Sequence, residues 1–218
     1  MDLKLRLPIR GGGAEDKGPQ VNKEGAQLTS SLHGGRWYEA TREGRVFSGT
    51  AAAAGYVIPI FSNTAQKFGI WNPKGSGINV VPISLTFGYV STTGAAGGFV
   101  LGVVQNAPAQ LATGATITAF TEGTLNTDIF NGLVGKAIGP TAKFTPSAAT
   151  VTAPVILRQL GLNQLVITAA DATNTQWLAR CDFDGDLIIP PGNAVFVGGN
   201  IATLITMTNT LVWAEEQA

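Results

Sequence analysis

Residues 203–215 read TLITMTNTLVWAE. Leu204, Thr206, Thr208, Thr210 and Val212 fall on one side of an extended chain. Ile205, Met207, Asn209, Leu211 and Trp213 fall on the other. Alternation of this kind, rich in Thr and β-branched residues, is the mark of a strand, because successive side chains point to opposite faces. Similar runs occur upstream: 56–61, 67–72, 78–90, 97–104, 115–120, 150–157, 164–169 and 193–199. Asn72-Pro73-Lys74-Gly75, Thr93-Gly94 and Pro190-Pro191-Gly192-Asn193 supply turn chemistry between them. Short strands at even spacing predict an all-β, jelly-roll-like β-sandwich over residues 50–218. Pro59, Pro82 and Pro154 lie inside apparent strands. Lacking an N–H, they belong at edges or bulges. Residues 121–140 are expected to hold a helical turn around DIFNGLVGKAI.

The text before this body has different physics. Residues 1–49 read as an extended N-terminal arm. Lys4, Arg6, Arg10, Lys17, Lys23, Arg36, Arg42 and Arg45, with Asp2, Glu15, Asp16, Glu24, Glu39 and Glu43, place half of all charged residues in 1–47. Gly11-Gly12-Gly13 and Gly18-Pro19 interrupt any regular element. Such a polar segment buries too little apolar surface to fold alone. Residues 34–47, GGRWYEATREGRVF, set Trp37, Tyr38 and Phe47 among Arg36, Arg42 and Arg45. These are residue types enriched where proteins bind one another. Two uses fit: packing back on the chain's own domain as a first strand or short helix, or anchoring in a neighbouring subunit. Stacking on single-stranded nucleic acid is disfavoured by Glu39 and Glu43.

Composition narrows the function classes. Charged residues are 13% of the chain and the formal net charge is zero, against about 25% charged in ordinary domains. The balance gives no reason to expect nucleic-acid or membrane binding. A surface so neutral tends to associate, so a homo-oligomer is expected. One Cys and one His preclude an internal disulfide and the usual Cys/His zinc sites. Met1–Arg10 alternates charged and apolar residues, so no secretory leader is expected. No run is long enough for a membrane-spanning helix. Synthesis and assembly in a reducing cytoplasm fit these features.

Catalytic constellations are missing. His33 stands beside Gly34-Gly35 in the arm, away from any folded pocket. Gly94–Gly98 lacks the Lys-Ser/Thr of a phosphate loop. Asp182, Asp184 and Asp186 are the weak metal candidates, since alternating carboxylates suit calcium. The calcium-loop spacing fails: Gly185 comes one place early, and Asn193 stands where the loop needs Glu. An acidic turn between strands is the simpler reading, with any calcium bound weakly. Paired-carboxylate hydrolysis by Asp182 and Asp186 lacks an accompanying sugar platform apart from Trp177. No cofactor, no metal and no enzymatic activity are expected.

Three stretches carry a resemblance: SLHGGRWYEATREGRVF (31–47), IWNPKGSGINVVPISLTFGYV (70–90) and LIIPPGNAVFVGGNIATLITMTNTLVWAEEQA (187–218). Their order resembles structural proteins of tailed bacteriophages, in particular head decoration or cement proteins. The ending is also similar to the last strand pair of trimeric tumour-necrosis-factor-like jelly rolls. The resemblance implies a virion protein on the capsid surface, a homotrimer, whose partner besides itself is the major capsid protein. By residue type, Arg36, Trp37, Tyr38, Arg42, Arg45 and Phe47 are the expected interface. A tail or fibre component that binds a host receptor or carbohydrate is the alternative.

Overall fold

The computed structural model describes residues 36–51, 54–61, 67–91, 97–105, 117–118, 129–151, 155–163, 178–201 and 206–218. The chain divides into two units, Met1–Tyr38 and Glu39–Ala218. Of the first, only Arg36, Trp37 and Tyr38 are described. The expected run at 164–169, His33, Pro154 and Trp177 lie outside the described residues.

A short helix, α1 (Tyr38–Glu43), precedes the strands. These are β1 (Val46–Thr50), β2 (Tyr56–Val57), β3 (Lys67–Trp71), β4 (Ile78–Ser91), β5 (Gly97–Gln105) and β6 (Ile117–Thr118). They continue with β7 (Ile129–Asn131), β8 (Lys143–Val151), β9 (Val155–Asn163), β10 (Leu178–Asp182), β11 (Asn193–Gly199) and β12 (Thr206–Gln217). Two antiparallel sheets form a sandwich. One runs β10-β4-β12-β1-β7, with β2 also on β12; the other runs β6-β8-β3-β11-β5-β9. Consecutive strands β3, β4 and β5 alternate between the sheets, and each pairs with strands distant in sequence. This all-β sandwich is compatible with a jelly roll.

The arm expectation needs a boundary correction. Strand β1 begins within residues 1–49 and pairs with both β12 and β7. The compact unit begins at Glu39. Val46 and Phe47 are buried apolar residues of that unit, which is why the chain commits to the sheet earlier than the charge pattern suggests. Of residues 121–140, expected to hold a helical turn, 121–128 lie outside the described residues and 129–140 form no helix. β7 occupies Ile129–Asn131, and a turn closed by Lys136 N–H on the Leu133 carbonyl follows. Gly135 lies inside that turn with φ +89°, a backbone no helix continues through.

Strand β12 sits between β4 and β1. Its alternation holds through Met207, Asn209, Leu211 and Trp213, all buried. A bulge then shifts the register: Val212 faces Ser84, but Trp213 faces Pro82. Ile83 is the extra residue, so Pro82 sits at a bulge as its missing donor requires.

Aromatic rings tie the sheets together. Trp213 stacks on Phe144 at 5.9 Å between centroids and lies 5.9 Å from Phe47. Phe144 meets Phe68 edge-on at 5.2 Å, and Phe68 stacks on Tyr56 at 6.4 Å. β1, β2 and β12 supply three of these rings, and β3 and β8 of the facing sheet supply two. Gly49 makes the approach possible: a Cβ there would lie 2.6 Å from the Phe144 ring.

Asparagines close the turns. Asn72, fully buried, donates from Nδ2 to the Ile78 and Ile189 carbonyls at 2.7 and 2.9 Å. Its Oδ1 accepts from Ser76 Oγ at 2.6 Å. Its backbone exchanges bonds with Gly192 and Asn193. The Asn-Pro-Lys-Gly and Pro-Pro-Gly-Asn turns therefore meet around one side chain, which satisfies backbone groups that no strand ladder reaches.

Candidate partner interface

The six residues singled out from the sequence do not share one fate. Arg36 is exposed and its guanidinium lies 5.2 Å from the Trp37 ring centre. Tyr38 opens α1 and is about half exposed. Arg42, one turn on, pairs with Glu39 at 3.1 Å, both side chains largely in solvent. An exposed i,i+3 pair of this kind contributes little stability. It leaves cation and carboxylate accessible to a partner.

Arg45 and Phe47 are different. Arg45 Nε donates to Glu43 at 2.7 Å, and its Nη1 meets Glu216 and the Glu215 carbonyl. The Glu216 hydrogen bond raises its already high pKa further. Phe47 is 2% exposed and packs on Trp213. Both residues serve the chain's own domain, whereas Arg36, Tyr38 and Arg42 are exposed and Trp37 is half-buried. Alternation had no bearing here: the feature that separates Phe47 from Tyr38 is the start of β1 at Val46.

The acidic turn is wired to arginines. Asp182 accepts from Arg180 Nε at 2.7 Å. Asp186 accepts two bonds from Arg158, at 2.8 and 3.2 Å, which hold its carboxyl below the usual range. Asp184 and Gly185 turn the chain with φ of +46° and +85°. Between them and β10, Phe183 plugs into the core at 1% exposure. Among the described residues, no three His, Cys, Asp or Glu side chains converge as a metal would require. Cys181, in the adjoining strand, has its thiol pKa raised by burial. It is a poor nucleophile near neutral pH.

Two features were not legible as functional. Glu215, buried near the end of β12, accepts the backbone N–H groups of Thr141 and Ala142, each at 2.9 Å. Apolar residues also stand in solvent. Val155, Ile156 and Leu157 on β9 are 61, 51 and 45% exposed. Phe130 on β7 and Val134 and Ile138 after it are exposed as well. The run Val155-Ile156-Leu157 has no polar alternate, and that break in period was the available signal.

Tyr56 gives the fold a pH dependence. Its hydroxyl receives Asn209 Nδ2 at 3.0 Å, and burial raises its pKa far above that of a free phenol. Above about pH 10 a tyrosine of the unfolded chain loses its proton, while folded Tyr56 keeps it. The unfolded state then binds fewer protons, so stability falls as pH rises past that point. Tyr56→Phe should remove this contribution. Urea midpoints measured on both proteins between about pH 9 and 11 are expected to converge as pH rises; parallel declines would contradict the assignment.

No protein-family model matches the chain, and no curated protein matches it. Among solved structures, a chain titled "Sacbrood virus of honeybee" is similar at 10% identity, over 100% of this chain and 85% of that one, with a TM-score of 0.20. A likeness at that score supports no inference about fold or function.

Proposed function

We propose that this chain is a non-enzymatic structural protein of a virion, a decoration or cement protein on the capsid surface. In this reading it forms a homo-oligomer, a trimer, and attaches to the major capsid protein through its N-terminal arm. The observation that carries the reading is that Arg36, Tyr38 and Arg42 are exposed and Trp37 half-buried, ahead of a sandwich poor in charge. From Gly49 onward the cations are Lys67, Lys74, Lys136, Lys143, Arg158 and Arg180, against eight carboxylates. Of these ions, Arg158 and Arg180 are bound to Asp186 and Asp182. A surface of this kind favours association. Many copies held to a lattice need no single strong site, because multivalency multiplies modest affinities.

Burying one large aromatic is worth roughly 1.5–3 kcal/mol. Trp37→Ala with Tyr38→Ala should therefore weaken particle binding at least about 100-fold. Co-sedimentation with particles stripped of this protein measures it. Deleting residues 1–47 would remove Phe47 and part of β1, so the substitutions in the full chain are the better test. If the double variant sediments with particles at wild-type occupancy, attachment lies on the sandwich and the arm assignment fails.

A further inference from the structure

Residues 129–151 are described without a break. In them β7 leads into the turn at 133–136, closed by Lys136 N–H on the Leu133 carbonyl at 3.0 Å. Gly135 is third in that turn and supplies the positive φ of +89°. Val134, second in it, is 94% exposed. Most residue types fit that second place, so the turn itself gives no reason for an apolar side chain there. Phe130, Leu133 and Ile138 are exposed as well. Single apolar residues in solvent are ordinary, but several together mark a contact surface.

The segment is pinned from below. Asn131, buried, donates from Nδ2 to the Gly44 carbonyl at 2.8 Å and to the Ile138 carbonyl at 3.2 Å. Its Oδ1 accepts the Leu133 N–H at 2.9 Å. One amide therefore holds the backbones of Leu133 and Ile138 together. Gly132 N–H donates to the Val46 carbonyl at 2.7 Å, and Lys136 Nζ to the Glu43 carbonyl at 3.3 Å. A surface fixed in this way loses little entropy on binding.

The same anchors place it. Glu43, Gly44 and Val46 end α1 and open β1, and the compact unit begins at Glu39. Along the helix Glu39 lies about 6 Å from Glu43. A shell protein that grips Trp37 and Tyr38 stands within about 4–8 Å of Glu39, one or two residue lengths. The apolar turn is thus fastened to the stretch of the body that such a partner must approach. The exposed Arg42–Glu39 pair on α1 supplies the polar rim usual beside an apolar contact.

We propose that Phe130, Leu133, Val134 and Ile138 form a second contact with the shell protein that takes Trp37 and Tyr38. The partner would offer an apolar hollow at that point. The inference rests on the capsid attachment proposed above and adds the body's own footprint to it. Two linked contacts of modest strength then act as one firm attachment.

Co-sedimentation of the full chain with stripped particles tests it, with Trp37→Ala/Tyr38→Ala run alongside. Val134→Asp with Ile138→Asp, both in solvent, should keep the wild-type urea midpoint and weaken particle binding at least about 10-fold. In a Cys181→Ser background, Val134→Cys labelled with a benzophenone maleimide should cross-link to the major capsid protein when decorated particles are irradiated. Wild-type binding by the aspartate variant beside a weakened arm variant overturns this inference and leaves the arm reading standing. Wild-type binding by both variants overturns both. A cross-link formed only between copies of this chain, or an oligomeric state of the free protein that changes with the aspartates, gives the surface to self-association and overturns the proposal.

Discussion

Trp213→Ala is expected to destabilise the sandwich by about 3–5 kcal/mol, the largest loss from any single side chain of β12. Trp213 is fully buried and lies between Phe47 of its own sheet and Phe144 of the facing one. Truncation removes the stacking on Phe144 and the tilted contact with Phe47, and leaves a cavity that β-sheet backbone closes poorly. The indole N–H has no hydrogen-bond partner among the described residues. Trp213→Phe therefore keeps most of the apolar contact while discarding a buried unsatisfied donor, and should cost only about 1 kcal/mol. Chemical denaturation of the two variants separates the cases. Equal losses would mean that the indole N–H makes a bond, by way of a bound water for instance, that the stacking account omits.

Glu215→Ala should cost about 3 kcal/mol, since two backbone donors each lose a charged acceptor. Both Thr141 and Ala142 present their N–H groups to this one carboxylate, and Ala142 is fully buried. The clamp fixes the chain just before β8 enters the second sheet. Glu215→Gln can satisfy one donor but turns an NH2 toward the other, so an intermediate loss is expected. Amide hydrogen exchange supplies the local readout: protection at Thr141 and Ala142 should fall in Glu215→Ala well before the rest of β8 is affected. If protection there stays at the wild-type level, the carboxylate is not the acceptor that matters.

These two side chains also show what the sequence could and could not convey. The alternation through Met207, Asn209, Leu211 and Trp213 exposed the core face of β12 directly, because a strand's period is fixed by its backbone. Glu215 then breaks the pattern. The bulge opposite Pro82 resets the register, and no local signal announces where a bulge falls. β8 escaped notice because Pro146, Ser147, Ala148 and Ala149 have weak strand propensity. Its place is set by the ladder to β3. β10 was missed because Arg180 and Asp182 make it read as loop, though it lies along β4. At the interface, Trp37 and Tyr38 were legible as anchors by residue type alone. Phe47 was not separable from them, since its burial depends on β12, 166 residues away in the register pair Phe47–Trp213.

The central claim is that this charge-poor sandwich belongs to a virion shell and is held there by its arm. Cryo-microscopy of purified virions tests it. The account predicts density for the two-sheet body on the outer capsid surface. It also predicts that Trp37 and Tyr38 are buried against the major capsid protein. Density for the body at a tail or fibre tip, or particles that lack it altogether, would contradict the account.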